Sequence, residues 1–187
     1  RPGVPVTDDR WRSPLGSRYA SPGMQTLWGE RHRIGLWRRL WLALAETERE
    51  LGLEIPEQAL AQMRTHLDDA DLDAAARYER RFRHDVMAHI HAFGDQAPTA
   101  RPYLHLGATS AFVTDNADLV IMRDGLRLLL GRLIAVLREL ERFATKHANL
   151  PCLAYTHFQP AQLTTVGKRA TLWMQDLARD VEALIHR

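Results

Sequence analysis

The chain has 187 residues, of which 45% are hydrophobic and 26% charged, a composition typical of a folded globular protein and unlike that of a disordered or collagen-like one. Lys and Arg number 25 and Asp and Glu 23, and this near balance lacks the dense basic stripe of most nucleic-acid-binding proteins. The single cysteine, Cys152, excludes an internal disulfide framework, and no apolar run approaches the ~20 residues that span a bilayer, so we expect a cytoplasmic protein with no membrane contact.

The N-terminal residues 1–20 are rich in Pro, Gly and Arg and lack periodicity, which predicts an extended arm. Ser21 and Pro22 indicate a helix start, because serine caps free amide groups and proline is tolerated at the first helical position. Apolar residues at helical spacing predict one long helix from there to about Leu51, and Gly52 is expected to end it.

The polar C-terminal end of this helix, which includes Glu48, is expected to face solvent. Three shorter helices are predicted after it, over residues 56–66, 72–81 and 86–97. Asp85 is the expected cap of the third, and residues 98–112 form a turn-rich segment. A second long helix, from about Thr114 to His147, is apolar on much of its circumference, which is typical of a helix inside a bundle.

Residues 148–161 contain two prolines and no helical pattern, and a last helix is predicted from about Leu163. With almost no alternation typical of strands and no internal repeat, the predicted class is all-α with long helices. The chain begins without Met and stops inside a helical pattern, so we expect a piece of a longer chain that supplies only part of the bundle. The predicted divisions are an arm over 1–20, an N-terminal helical domain over 21–111 and the start of a central bundle over 112–187.

Four polar clusters interrupt the helical pattern, each at a predicted junction between a loop and a helix. They are Ser17–Tyr19, Arg83–Asp85, His105–Ser110 and Thr156–Gln162. Helix N-termini present free amides and a partial positive charge, and Arg, His, Ser and Thr donors at the same points favour a polyanionic ligand. Each cluster has a structural alternative, because such residues most often cap a helix and a single histidine there is more often structural than catalytic. The residues alone predict an anion site with histidine acid–base chemistry.

Metal, nucleotide-loop and cysteine chemistry find little support in the sequence. His84 and His91 share a helix face, but His89 does not share it with His91, and no Cys or Glu completes a ligand set. Gly107–Ser110 lacks the spacing and the lysine of a phosphate-binding loop. Because Cys152 has no arranged base, it is a poor candidate nucleophile. We therefore expect no metal and no cofactor.

These clusters closely resemble the adenylosuccinate lyases of the fumarase/aspartase superfamily, and the matching segments span about residues 17–175. The stretch Arg83-His84-Asp85-Val86-Met87-Ala88-His89 is specific for these lyases, whereas Thr156-His157-Phe158-Gln159-Pro160-Ala161-Gln162 is shared more widely, including with carboxymuconate cycloisomerases. The resemblance implies a long-helix all-α bundle, only partly present in this chain. It also implies elimination of fumarate from adenylosuccinate, to give AMP, and from the succinylated aminoimidazole carboxamide ribotide of purine synthesis.

The resemblance further implies roles for individual residues. His157 matches the general acid that protonates the departing nitrogen, a task suited to the pKa of histidine. His84 matches a histidine beside that acid and the substrate, and Arg18 and Tyr19 match a pair that contacts the nucleotide phosphate. The other residues implied in substrate binding are Arg83, Asp85, His105, Thr109, Ser110, Thr156 and Gln159.

Members of this family are more than twice as long as this chain, and the resemblance implies that the loop carrying their serine base lies beyond Arg187. It also implies a homotetramer whose active sites draw on three subunits, and a nucleotide as the small-molecule partner. We therefore expect the chain by itself to be inactive. The alternatives are a carboxymuconate cycloisomerase-like enzyme or another superfamily lyase, and a non-catalytic helical assembly module; nucleic-acid binding is a distant third.

Overall fold

The computed structural model describes residues 12–186, so the first eleven residues of the predicted arm lie outside the described part. The chain divides into two compact units, Arg1–Met122 and Arg123–Arg187, and the division falls within one long helix. The boundary that the sequence predicts, between residues 111 and 112, lies earlier in the same helix and stays a prediction. The all-α class with long helices is confirmed, with one small sheet in the second unit.

Between residues 22 and 122, the first unit consists of α-helices joined by short turns. They are α1 (Pro22–Leu27), α2 (Glu30–Glu50), α3 (Glu57–Thr65), α4 (Leu72–Phe82), α5 (Asp85–Gln96) and the first part of α6 (Ser110–Lys146). The three short helices α3, α4 and α5 confirm the predicted ones, while α6 begins about one turn before its predicted start at Thr114. None of the helices between residues 12 and 186 is long and apolar enough to cross a membrane.

The predicted long helix from Ser21 to Leu51 is broken, and the prediction of one continuous helix is wrong. The backbone is extended at Gly29 (φ −73°, ψ 150°), and α2 starts after it. A Cβ at this position would lie 3.1 Å from the carbonyl oxygen of Thr26, so the turn favours glycine. The expected cap is confirmed, since the hydroxyl of Ser21 accepts a hydrogen bond from the N–H of Met24 at 3.3 Å.

The core of the first unit gathers apolar side chains from α2, α3, α5 and the beginning of α6. Its largest fully buried apolar members include Trp41, Phe93, Leu60 and Met63. The rings of Trp41 and Phe93 pack with their centroids 6.2 Å apart, which fixes α2 against α5. Burying a side chain of this kind contributes about 1.5–3 kcal/mol to the stability of the fold. The core therefore holds α2 and α5 in a fixed orientation, and these helices lead to the predicted polar clusters.

A charged residue, Arg38, is buried in this core with 1% of its surface exposed. Its guanidinium donates to the carbonyl oxygen of His66 and to Oε1 of Gln96 (2.7 Å), lies 3.4 Å from the carboxylate of Asp69, and stands 4.4 Å over the ring of Phe93. Burial lowers the pKa of Arg38 to about 10, so the group stays charged at neutral pH. These bonds compensate the cost of burying the charge and tie α2 to the end of α5.

His89 is a second polar group in the core, with 9% of its surface exposed. Its ring meets that of Trp37 at 90°, with the centroids 5.5 Å apart. Burial, followed by the positive charge of Arg38, lowers the pKa of His89 from 6.5 to about 4. The unfolded chain therefore binds a proton at His89 in a pH range where the folded chain does not.

We predict that acid weakens the fold through His89. Between about pH 6.5 and pH 5 the free energy of unfolding should fall with decreasing pH, because protonation favours the unfolded state, and one such group contributes up to about 1.4 kcal/mol per pH unit. Urea unfolding across this range measures the slope. A His89→Phe variant should have a flatter slope, because it removes the group whose pKa is lowered by burial. An unchanged slope in His89→Phe would contradict the assignment.

The second unit combines the rest of α6 with a β-hairpin and a last helix. These elements are β1 (Pro151–Thr156), β2 (Gln159–Thr165) and α7 (Val166–Ile185). The sequence pattern predicts no strands in this region, and this prediction is wrong. The hairpin is exposed over most of its length, so it needs no alternation of apolar and polar residues. Its prolines, Pro151 and Pro160, are tolerated because each strand of a two-stranded sheet keeps one unpaired edge.

The last helix begins at Val166 and not at the predicted Leu163, because β2 occupies the residues before it. Close backbone packing fixes this start. The N–H of Gly167 donates to the carbonyl oxygen of His147 at 2.9 Å. A Cβ on Gly167 would lie 2.4 Å from the carbonyl oxygen of Ala144, a distance that no side chain tolerates. Glycine is therefore required where α7 meets the end of α6.

Two glycines of the second unit offer a matched test of this packing. Gly167→Ala should lower the free energy of unfolding by about 1–3 kcal/mol, as expected for an overpacked site. Gly131→Ala, in an open part of α6 with no atom within 4 Å of the new Cβ, should instead raise it by about 0.5–1 kcal/mol. Urea unfolding of both variants distinguishes the two effects, and a Gly167→Ala protein as stable as the original would refute the close approach.

Candidate functional site

The loop between α4 and α5 turns the backbone sharply. Arg83 ends α4 in a left-handed conformation (φ 54°), and His84 follows it as the cap of α5, with its Nδ1 accepting a hydrogen bond from the N–H of Met87 at 3.4 Å. Asp85 was the predicted cap, and this is wrong. Asp85 is the first helical residue, and its Oδ1 accepts from the N–H of Val86 at 2.8 Å. His84 takes the cap because its backbone is extended (φ −150°), as a cap residue requires.

His84 joins two of the clusters that the sequence predicts. Its Nε2 lies 3.4 Å from Oγ of Ser110, the first residue of α6. Because Nδ1 accepts from an amide, the proton of the neutral ring lies on Nε2 and faces Ser110. In the charged ring, Nδ1 would also carry a proton and face Oδ1 of Asp85, which is 3.5 Å away. The pair therefore offers hydrogen-bond donors at the N-terminus of a long helix, where an anion is favoured.

His105 lies in the turn before α6, with a φ of 61° that few residues other than glycine adopt. Its Nδ1 accepts a hydrogen bond from the Nε1–H of Trp41 at 3.0 Å. Burial, and secondarily the nearby ring of His84, lower the pKa of His105 below the usual value for histidine. The ring is therefore neutral at pH 7, and its proton lies on Nε2.

Glu48 lies beneath this turn, near the C-terminal end of α2. A Cβ on Gly107 would lie 3.7 Å from Oε1 of Glu48, while Oε2 is buried with no hydrogen-bond partner among the described residues. Burial raises the pKa of this carboxyl. The expectation that Glu48 faces solvent holds only in part: the residue is half-buried, because the turn that contains Gly107 packs against its carboxylate.

The hairpin carries the fourth cluster. His157 and Phe158 form a two-residue turn between Thr156 and Gln159, which are paired across the strands. Both turn residues have a positive φ, 51° and 61°, a geometry that Asn-Gly usually provides. Phe158 is 99% exposed, and His157 and Thr156 are exposed as well. The predicted position of this cluster, at the N-terminus of a helix, is wrong: it lies at the turn of a hairpin.

Backbone strain coincides with the predicted clusters. Within residues 12–186, the residues other than glycine that have a positive φ are Arg83, His105, His157 and Phe158. All four belong to clusters that the sequence singles out. Such a conformation costs of order 1–3 kcal/mol and persists where the surrounding structure maintains it, often at functional sites. This coincidence favours the functional interpretation of these clusters over simple helix capping.

The structure does not bring the arm residues to the pair formed by His84 and Ser110. Arg18 and Tyr19 lie in a π-helical turn, Leu15–Tyr19, closed by a bond from the N–H of Ala20 to the carbonyl oxygen of Leu15 at 2.8 Å. The predicted extended arm is therefore wrong over these residues. The guanidinium of Arg18 stands 5.7 Å over the ring of Tyr19, and both side chains are exposed.

Within residues 12–186, no three His, Cys, Asp or Glu side chains lie close enough together to hold a metal ion. The histidines next to His84 in the sequence serve other contacts. His89 packs on Trp37 in the core, whereas His91 stacks on Tyr78 and Phe82 with the centroids 5.2 and 4.7 Å away. These two rings therefore contribute to packing.

Sequence reasoning missed Trp41 and Glu48 as neighbours of the site. Glu48 was expected to face solvent, and no role at the site was predicted for Trp41. A signal was present, because residues seven apart on an α-helix lie on the same face two turns from each other. A buried Trp41 therefore places Glu48 on the side of α2 that packs against the rest of the unit.

Comparison with known proteins gives the family. A family model described as Lyase matches residues 41–186. The chain belongs to this lyase family. The matched range contains His84, His105 and Ser110, as well as the hairpin turn with His157, so every histidine that we assign to a site lies inside it.

Relatives named adenylosuccinate lyase cover almost the whole chain. The Saccharomyces cerevisiae protein is 49% identical over 92% of this chain and 36% of its own length, and the Schistosoma mansoni protein 47% over 94% and 37%. A more distant relative from Methanothermobacter thermautotrophicus is 29% identical over 91% of the chain and 38% of its own length. The chain thus spans little more than a third of the length of these relatives.

Solved structures of the lyase family share the fold. The 3-carboxy-cis,cis-muconate lactonizing enzyme from Pseudomonas putida superposes with a TM-score of 0.81 at 26% identity, over 92% of this chain and 40% of its own. The fumarate lyase from Mesorhizobium sp. BNC1 gives 0.80 at 27% identity, over 89% and 40%. These matches confirm the long-helix fold of the fumarase/aspartase type.

Two substitutions test the capping role of His84. His84→Ala should lower the free energy of unfolding by about 0.5–2 kcal/mol, because the N–H of Met87 loses its acceptor. His84→Asn should keep most of the stability, since asparagine is a preferred cap. Thermal or urea unfolding of the two variants measures the difference, and an equal loss in both would show that the cap contributes little.

Proposed function

We propose that this chain is part of an adenylosuccinate lyase, which eliminates fumarate from adenylosuccinate to leave AMP and acts likewise on the succinylated aminoimidazole carboxamide ribotide of purine synthesis. The observation that carries the proposal is the 49% identity, over 92% of the chain, to the adenylosuccinate lyase of Saccharomyces cerevisiae. Identity to the lactonizing enzyme of the same fold is 26%, which favours elimination over the cycloisomerase reaction.

Such an elimination needs three kinds of group. A base removes a proton from the succinyl Cβ, hydrogen-bond donors stabilise the charge that develops on the adjoining carboxylate, and an acid protonates the nitrogen when the C–N bond breaks. We assign the acid to His157, because histidine is the side chain most often used for general acid–base catalysis. Its place in an exposed and strained turn supports this assignment, because a side chain at the turn is accessible to a substrate.

We assign the binding of a succinyl carboxylate to the region where His84 meets Ser110. Their facing Nε2 and Oγ atoms, 3.4 Å apart at the N-terminus of α6, support this role, because free amides and side-chain donors converge there. The exposed hydroxyls of Thr109 and Thr156 add to the same function. The other residues that we propose for substrate binding, the first two for the phosphate, are Arg18, Tyr19, Arg83, Asp85, His105 and Gln159.

The complete enzyme is proposed to need more than this chain. The family resemblance assigns the base to a serine loop outside residues 1–187, and the active form to a cytoplasmic homotetramer. Exposed apolar side chains such as Leu129 of α6 and Trp173 of α7 support association between copies. We therefore expect no turnover by the chain alone. An arm (1–20), a helical domain (21–111) and a central bundle (112–187) remain the proposed divisions.

A chimera tests the proposal. When this chain replaces the matched segment of the Saccharomyces cerevisiae lyase, we expect the chimera to release fumarate from adenylosuccinate, measured by the absorbance of fumarate. His157→Gln in the chimera should slow release by ~10²-fold or more, as expected for loss of a general acid. His66→Gln, at a histidine paired with Asp69 outside the predicted clusters, is the matched control and should leave the rate unchanged.

The rival functions give different results in the same chimera. A chimera with the oligomeric state and stability of the yeast enzyme but no fumarate release would argue against the lyase proposal. Conversion of 3-carboxy-cis,cis-muconate by that chimera would favour the cycloisomerase alternative. If His157→Gln released fumarate as fast as the control, His157 would have no acid role, and the assignment of the acid would be wrong.

A further inference from the structure

Two tryptophans lie one turn apart on α2, and both are buried. Trp41 is 0% exposed and Trp37 is 5% exposed. The Nε1–H of Trp41 donates to Nδ1 of His105 at 3.0 Å, whereas Nε1 of Trp37 has no hydrogen-bond partner among the described residues. The core thus makes a specific polar contact with the turn before α6 through one of these indoles and not through the other.

The chemistry of the indole determines the state of the histidine. An indole N–H can only donate, so Nδ1 of His105 must carry a lone pair and no proton. The neutral ring then has its proton on Nε2, and a charged ring would lose the bond to Trp41. The two rings are nearly perpendicular, with an interplanar angle of 88° and centroids 6.1 Å apart, so the imidazole plane is held as well as its tautomer.

Two features around His105, its burial and the ring of His84, act in the same direction. Titratable groups near this turn are His84, from the loop between α4 and α5, and Glu48 of α2, whose Oε1 lies 3.7 Å from the position of a Cβ on Gly107. Burial and the neighbouring imidazole both lower the pKa of His105. Its positive φ adds a strained backbone that this packing must maintain.

We propose that Trp41 is a positioning residue that holds His105 as the neutral Nε2–H tautomer and so makes its ring a hydrogen-bond donor, not a base. The identity of the acceptor rests on the proposed function: in an adenylosuccinate lyase, Nε2–H donates to an oxygen of the substrate. A fixed N–H in this place favours an anionic or carbonyl oxygen over a cation or a proton donor. The tautomer itself depends on the structure alone.

The test compares Trp41→Phe with Trp37→Phe in the 187-residue chain labelled with ¹³C and ¹⁵N at histidine. Each variant exchanges a buried indole for a smaller ring, but only the first removes a donor to His105. The ¹⁵N shifts of the ring should show a single Nε2–H tautomer in the original chain. Trp41→Phe should introduce the Nδ1–H tautomer and raise the pKa of His105 towards 6.5, and Trp37→Phe should change neither.

Equal effects of the two variants, or no effect of Trp41→Phe, would overturn the proposal. If Trp41→Phe fails to fold, a measurement on the unmutated chain still tests whether Trp41 fixes the tautomer of His105. In a chain labelled with ¹⁵N at both histidine and tryptophan, a scalar coupling between Nε1 of Trp41 and Nδ1 of His105 across the hydrogen bond supports the proposal, and a protonated Nδ1 in the neutral ring overturns it.

The consequence for catalysis is measured separately in the chimera. There, Trp41→Phe should raise KM for adenylosuccinate by about three- to tenfold with a smaller change in kcat, as for a weakened hydrogen bond, and Trp37→Phe should not. A fixed tautomer in a chimera without lyase activity would leave the positioning role intact and refute the proposed function. An active chimera with a mixed His105 tautomer would support the proposed function and refute the positioning role.

Discussion

The buried face of helix α2 is the constraint on which the first unit depends. Trp41 packs on Phe93 to join α2 to α5, and Arg38, on the same helix, is held by the turn after α3 and the end of α5. The same indole that closes the core reaches His105 with its N–H. Because one helix supports both the core and the turn before α6, changes that loosen its packing should also disturb the geometry of the candidate site.

Strain marks the places where this framework ends and chemistry is proposed. The positive φ values of Arg83, His105, His157 and Phe158 each cost of order 1–3 kcal/mol, and a sequence under selection for stability alone would replace these residues with glycine or asparagine. At Arg83 and His105 the adjoining helices hold the backbone in place. At the hairpin tip the turn is exposed, so the strained backbone there leaves His157 open to solvent and not packed against other residues.

Much of the fold followed from local sequence signals, and the misses have physical causes. Helical spacing placed α3, α4, α5 and the long α6, because this signal acts within a few residues. The hairpin was missed since an exposed two-stranded ribbon has no buried face to impose alternation. The four clusters were recognisable from residue type, but the contact of His84 with Ser110 and that of Trp41 with His105 join residues 26 and 64 positions apart, which only tertiary packing determines.

We propose that residues of these clusters bind the substrate of an adenylosuccinate lyase. A crystal structure of the His157→Gln chimera with adenylosuccinate bound tests it most directly. We expect a succinyl carboxylate at Ser110 and the N-terminus of α6, Nε2 of His105 within hydrogen-bond distance of a substrate oxygen, and residue 157 of the same or another subunit beside the nitrogen that departs. Substrate bound away from Ser110, with residue 157 facing solvent, would contradict it.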